Sequence, residues 1–214
     1  MDDANGLLCP ADALDALVAQ LRHDDDGGLV RLGGLLTAWP LDPRLHFLQG
    51  SVLAGLQRYD EGRRAMARAV EIAPEYALAR FQLGFLDLTS GRALDAVAVW
   101  TPLVNLPEDE PLRLLAEGLM NLASDRFAEA RRLLALGMER NTAIPLINAD
   151  MQLILDQIAE LPDGLDTADP TLAAEPALAE AANGEYAPIE DAPTSAVDLL
   201  LQQSRFKDDS GTRH

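Results

Sequence analysis

Lysine and cysteine are almost missing from this chain: Lys207 and Cys9 are the only residues of either kind among 214. A single cysteine closes no disulfide within the chain, which excludes a small secreted scaffold held by cross-links. Cys9 precedes Pro10 at an expected helix start. As a nucleophile it would need a basic or helix-N-terminal setting, and it reads instead as an inert thiol near a terminus. With lysine confined to position 207, no GxxxxGK[ST] phosphate loop can be built, and no GxGxxG turn follows a strand. Histidine is also scarce. His23, His46 and His214 form no His-x-x-x-His pair and no His/Cys cluster, so no zinc site is expected. The run DDDGG at 24–28 lacks EF-hand spacing and its closing glutamate, and reads as a solvated turn whose acids cap a helix. No local signature of a Ser-His-Asp arrangement is present. The sequence therefore leads us to expect no enzyme, no cofactor and no metal.

Positive charge is the next deficit. Lys and Arg number 17 against 35 Asp and Glu, a net charge of −18. Nucleic-acid affinity comes from neutralising phosphates with bases, so this balance argues against nucleic acid, and equally against an anionic membrane surface. No window approaches the ~18 apolar residues of a membrane span. The beginning, MDDANGLLCP, lacks the basic region and apolar run of a signal peptide. Together these lead to the expectation of a cytoplasmic protein whose partners are proteins or peptides.

What is present is a repeat. Gly50, Gly84 and Gly118 stand 34 residues apart, and Gly62, Ala96 and Ala130 keep the same step. Met66, Trp100 and Leu134 follow, then Val70, Val104 and Met138; Pro40 and Pro74 are also 34 apart. Glycine costs about 1 kcal/mol in a helix interior relative to alanine. Its return at one helical height therefore implies close packing. Each unit reads as a helix with a small residue, a turn (LQRYDEG, LTSGRAL, LASDRFA), and a second helix with a small residue at matching height. Such hairpins bury their apolar faces only by stacking.

The pattern resembles the tetratricopeptide repeat (TPR) family. The resemblance covers three units, 42–75, 76–109 and 110–141, with 8–41 as a degenerate leading unit that carries Gly28 and Pro40. It implies an all-α, right-handed α-solenoid of helix hairpins. The Leu-Gly pair of the family is intact as Leu83-Gly84. Its first aromatic is replaced by His46, Arg80 and Leu114, and its first-helix tyrosine by Leu53, Asp87 and Asn121. The segment 144–160 keeps helical apolar spacing at Leu146, Ile147, Met151, Ile154, Leu155 and Ile158, with Asn148, Asp150, Gln152, Asp156 and Gln157 mostly opposite. It reads as a capping helix with a polar outer face, closing a domain of 1–161.

In TPR arrays the first helices line a concave surface. By the resemblance, its positions are Arg44, Phe47, Ser51, Ala54 and Gly55 in the first unit. They are Leu78, Phe81, Phe85, Leu88 and Thr89 in the second, and Leu112, Leu115, Leu119, Leu122 and Ala123 in the third. These are mostly apolar, where one branch of the family grips a chaperone's terminal carboxylate with lysines and asparagines, so that activity is not implied. Apolar residues on such helices also serve as core. As a set they imply a groove for an amphipathic helix or extended apolar segment, the mark of a scaffold or adaptor. Two alternatives remain open. One is a chaperone for a secreted, partly apolar client, since type III secretion translocator chaperones are similar in plan though without the long acidic tail. The other is a structural subunit of a larger assembly.

From Pro162 the composition shifts. Residues 162–193 contain five prolines and many acids without an apolar period, and read as a disordered acidic linker. Residues 194–214 hold a short helical motif in which Ser195 and Asp198 have capping-box spacing. Val197, Leu200 and Leu201 form its stripe, with Phe206 beside it. This motif is a candidate for self-association, including occupation of the groove.

Overall fold

The structure, a computed structural model, describes residues 8–21 and 23–160. Every regular element among them is helical: α1 (Ala11–Leu21), α2 (Asp25–Ala38), α3 (Pro43–Gly55), α4 (Tyr59–Ile72), α5 (Ala77–Thr89), α6 (Ala93–Trp100), α7 (Pro111–Leu122), α8 (Phe127–Arg140) and α9 (Pro145–Ala159). The helices pack as successive hairpins, α1 with α2, α3 with α4, α5 with α6 and α7 with α8, and α9 packs on α8. The all-α hairpin-repeat fold is thus observed. The chain divides into two compact units, Met1–Leu106 and Pro107–His214. The acidic linker 162–193 and the tail residues Val197, Leu200, Leu201 and Phe206 lie outside the described residues.

The helix starts follow from local chemistry. Asp24 caps α2 by accepting from the Gly27 amide at 2.9 Å, so the DDDGG run is indeed a capping turn. Asp42 caps α3 by accepting from the Arg44 amide at 2.9 Å. Pro43, Pro111 and Pro145 sit in the first turns of α3, α7 and α9, where a missing N–H costs nothing.

The hairpin turns repeat with the same 34-residue step. Gln57, Gly91 and Asp125 have φ of 60°, 78° and 53°. Their amides donate to the carbonyls of Ala54, Leu88 and Leu122 at 3.0 Å each. The next amides, of Arg58, Arg92 and Arg126, reach back to Leu53, Asp87 and Asn121 at 2.8, 2.9 and 3.0 Å. These are three Schellman caps in register, each satisfying carbonyls at the end of a first helix.

The glycine columns are close-approach sites. A Cβ on Gly50 would collide with Met66, one on Gly84 with the Trp100 indole, and one on Gly118 would stand 2.8 Å from Leu134 Cγ. The Gly50 and Gly62 backbones face each other: a Cβ on either would lie 2.9 Å from the carbonyl oxygen of the other. Each first-helix glycine thus receives the large residue sixteen positions on, at the centre of its own hairpin.

One column departs. Pro102 removes the N–H that an α-helix would direct at the Ala98 carbonyl, and its ring clashes there. Accordingly α6 stops at Trp100 and the chain tightens into a 3-10 turn, Thr101–Asn105, which carries Val104. Val70 and Met138 by contrast lie within full helices.

In the first unit, Cys9, Leu17, Leu32 and Leu45 form one core, flanked by Leu14, Leu29, Leu36 and Trp39. Met66, Leu83 and Leu86 form another, against Ala54, Val70 and Val99. In the second unit α8 buries Phe127, Ala130, Leu133 and Leu134, and α9 buries Ile147, Met151, Ile154 and Ile158. The capping helix differs from its expected form in three places. Leu146 is 81% exposed and Leu155 only half-buried, because the buried stripe is narrower than expected: Ile147, Met151, Ile154 and Ile158 fill it, and Leu146 and Leu155 flank it on opposite sides. Leu153 is also exposed, so the outer face is not uniformly polar. Asn148 turns inward: its Nδ2 donates to the Met138 and Asn141 carbonyls at 3.2 and 3.1 Å, and its Oδ1 accepts from Asn141 Nδ2 at 2.8 Å. This asparagine pair clips the end of α8 to α9.

Candidate functional site

The first helices of the first unit, α3 and α5, carry the expected binding residues Phe47, Leu78, Phe81, Phe85 and Leu88. They split into two groups. Phe81 and Leu88 are each 1% exposed. The cause at Phe81 is Trp100, whose indole fills the space over Gly84. Trp100 Nε1 donates to the Phe81 carbonyl at 3.0 Å, and the rings lie 6.2 Å apart. Phe81 and Leu88 are therefore core, which corrects the expectation that they face a ligand. Phe85 stacks on the outer side of Phe81, ring centroids 6.5 Å apart at 6°, and stays half-buried. Leu78 and Phe47 are half-buried as well.

Phe47 has a neighbour that the sequence did not single out. The Tyr76 ring lies 5.4 Å away at 58°, an edge-tilted aromatic pair between α3 and the residue that caps α5. Burial pushes the Tyr76 phenol up, with nearby Arg44 opposing and Asp42 adding to the shift. The half-buried candidates of this unit are thus Phe47 paired with Tyr76, Leu78, and Phe85 stacked on Phe81, with the Arg44–Asp42 pair near Tyr76.

Polar side chains hold these first helices in place. His46 and Arg80, which replace the family's aromatic, each reach a proline carbonyl six residues back. His46 Nε2 donates to Pro40 at 2.9 Å, and Arg80 Nη2 donates to Pro74 at 3.0 Å. Arg80 Nη1 also donates to the Val99 carbonyl at 3.3 Å, and burial lowers its pKa. Each contact is a hydrogen-bonded clip that fixes its first helix to the turn before it. The Pro and His/Arg columns were both visible as 34-residue steps, but only the geometry joins them.

Asp87, in place of the family's tyrosine, is fully buried and accepts from Arg63 Nε at 2.6 Å and Arg92 Nε at 2.8 Å. It joins α4, α5 and the turn into α6. Its second oxygen, Oδ2, and Arg92 Nη2 are buried without a partner. This cluster braces the hairpin.

Asp42 makes a comparable clamp on the chain's beginning. Its Oδ2 accepts from the Cys9 amide at 2.8 Å and from Arg44 Nη2 at 2.7 Å, and Arg44 Nη2 donates to the Cys9 carbonyl at 2.7 Å. Burial alone would raise the Asp42 carboxyl. The Arg44 guanidinium and the Cys9 and Arg44 amides outweigh it and hold the carboxyl below its ordinary value. Cys9 is 1% exposed, and burial followed by the Asp42 charge pushes its thiol up, which leaves it inert.

On α7 the expected leucines are core, while Ala123 just beyond it is half-buried. Leu112, Leu115, Leu119 and Leu122 are at most 9% exposed. Leu115 sits over Gly137 of α8, where an added Cβ would stand 2.8 Å from its Cγ. The second apolar face of α7 is thus taken up by packing, and its remaining surface holds the Arg113–Glu117 pair at 2.8 Å. No helix among the described residues is long and apolar enough to cross a membrane. No group of three or more His, Cys, Asp or Glu among them could hold a metal ion.

No family model matches the chain, and no curated protein matches it. Solved structures do. MamA from Desulfovibrio magneticus RS-1, in a chain running from residue 41 to the end, superposes with a TM-score of 0.51 at 13% identity, over 71% of this chain and 95% of that one. The RS-1 MamA ArsTM double mutant gives a TM-score of 0.51 at 13% identity, over 69% and 92%. At this identity the likeness concerns the fold alone: a TPR-like helical repeat.

Proposed function

We propose that this chain is a non-enzymatic protein-binding repeat protein, and that the strip of Phe47, Tyr76, Leu78 and Phe85 takes an apolar segment of a partner, an amphipathic helix or an extended peptide. The observation that supports this reading is two half-buried aromatic pairs on or beside the first helices of the first unit: Phe47 packs on Tyr76, and Phe85 stacks on the buried Phe81. Burying one such ring is worth about 1.5–3 kcal/mol, so two or three anchors support useful affinity after ordering costs. The net charge of −18 favours a partner whose apolar face is rimmed by basic residues.

The test is selection of binding peptides from a random display library, followed by titration of the best binder against variants of the full chain. Phe47→Glu and Phe85→Glu should each weaken binding by tenfold or more, about 1.4 kcal/mol, at unchanged helical circular dichroism. Equal affinity of wild type and both variants would move the binding surface elsewhere.

A further inference from the structure

Leu146 and Leu153 are 81% and 63% exposed, the two most exposed large apolar side chains described in the second unit. They lie seven residues apart on one face of α9, with Ala149 exposed between them. Asp150 adjoins the stripe, half-buried and without a hydrogen-bond or ion-pair partner among the described residues. Residues 145–160 contain Asp150, Asp156 and Glu160 and no base. A closing helix with a polar exterior would need none of these features.

The chain carries a segment of complementary character. Val197, Leu200 and Leu201 have the spacing of one helical face, and Arg205 and Lys207 follow. All three bases of residues 162–214 lie at or beyond position 205, directly after this apolar cluster. We propose that residues 195–207 dock on the outer face of α9, with Val197, Leu200 and Leu201 over Leu146, Ala149 and Leu153, and Arg205 and Lys207 beside the acids of α9.

Reach, charge and linkage favour this occupant. The intervening residues 161–194 extend to roughly 110 Å, whereas α9 is about 22 Å long, so every point on it is accessible. The only two bases near the motif meet a helix that has acids alone, one of them unpaired. A second copy of α9 on the same face would set acids against acids and is disfavoured on that ground. Three small contacts are weak between separate molecules. Attachment to the same chain makes the encounter intramolecular, at an effective concentration in the millimolar range. The inference is independent of the strip on the first unit.

Hydrogen exchange by mass spectrometry on the full chain tests it. Leu200→Ser/Leu201→Ser should speed exchange of the amides in 145–159 by roughly threefold while α7 and α8 keep their rates. Leu146→Ser/Leu153→Ser should reciprocally speed exchange in 195–207. Both effects should persist unchanged on tenfold dilution. Identical exchange in α9 with and without the tail leucines would overturn the proposal. Protection that disappears on dilution would overturn docking within one chain and assign the α9 face to a second copy.

Discussion

The Trp100 indole donates its N–H to the Phe81 carbonyl at 3.0 Å and occupies the position a Cβ on Gly84 would take. One large side chain therefore closes the hairpin, hydrogen-bonds the opposing helix, and turns Phe81 from a surface residue into a core one. Gly84→Ala would gain about 1 kcal/mol of helix propensity and lose more to overpacking, typically 1–3 kcal/mol. We expect a net loss of stability, read as a lower urea midpoint at unchanged slope. Gly50→Ala should cost at least as much. Its neighbours include backbone, the Gly62 oxygen at 2.9 Å and the Met66 nitrogen at 3.0 Å, which yield less than a side chain.

The three Schellman caps make a second prediction with opposite signs at equivalent positions. Gly91, at φ 78°, carries no Cβ penalty, so Gly91→Ala should destabilise by about 1 kcal/mol. Gln57 adopts φ 60° with a side chain, so Gln57→Gly should be neutral or stabilising by up to about 1 kcal/mol. Thermal unfolding of the two variants would check the contrast, and a destabilised Gln57→Gly would contradict it.

Buried Asp87 balances two guanidinium groups whose side chains are 35% and 31% exposed. Removing one partner of a buried charge cluster costs about 3–5 kcal/mol, and the partial exposure of Arg63 and Arg92 places Asp87→Ala toward the lower end. Arg63→Ala should cost less, since Asp87 keeps Arg92. Denaturant titration of the three proteins gives the ranking.

Asp42 predicts a pH dependence. Its folded carboxyl lies below the ordinary 3.8, so its contribution is complete above that value and is lost as pH falls through the folded pKa. Asp42→Asn should lower stability at neutral pH and flatten the fall in stability below pH 3.8. The same variant removes the charge that holds Arg44 at the Cys9 carbonyl and weakens the acceptor of the Cys9 amide. Alkylation of Cys9, slow in the native protein because the thiol is buried, should accelerate. A native-state alkylation rate identical in both proteins would count against the clamp.

Phe81 and Phe85 should behave differently under one substitution. Phe85→Glu should fold, because that ring is half-buried at the outer side of the stack. Phe81→Glu places a charge in a site that is 1% exposed and should unfold or severely destabilise the first unit. Circular dichroism and thermal melting separate the two outcomes.

The 34-residue columns determined much of this protein by themselves. Each glycine at 50, 84 and 118 meets the larger residue sixteen positions on, because repeated sequence at helical spacing repeats the same local packing. The turns with Gln57, Gly91 and Asp125 recur for the same reason, and a column of Arg58, Arg92 and Arg126 follows them, legible in the sequence though not singled out. Only the tertiary structure decided what covers the second apolar face of each first helix. Periodicity says that Phe81, Leu88, Leu112, Leu115, Leu119 and Leu122 share faces with their neighbours, but not whether water or another side chain lies opposite. Trp100 decided that question for Phe81, and the hollow at Gly137 decided it for Leu115. On α9 the decision went the other way. The buried stripe is only Ile147, Met151, Ile154 and Ile158, which leaves Leu146 and Leu153 facing outward, while the asparagine pair at 141 and 148 ties the helix to the end of α8.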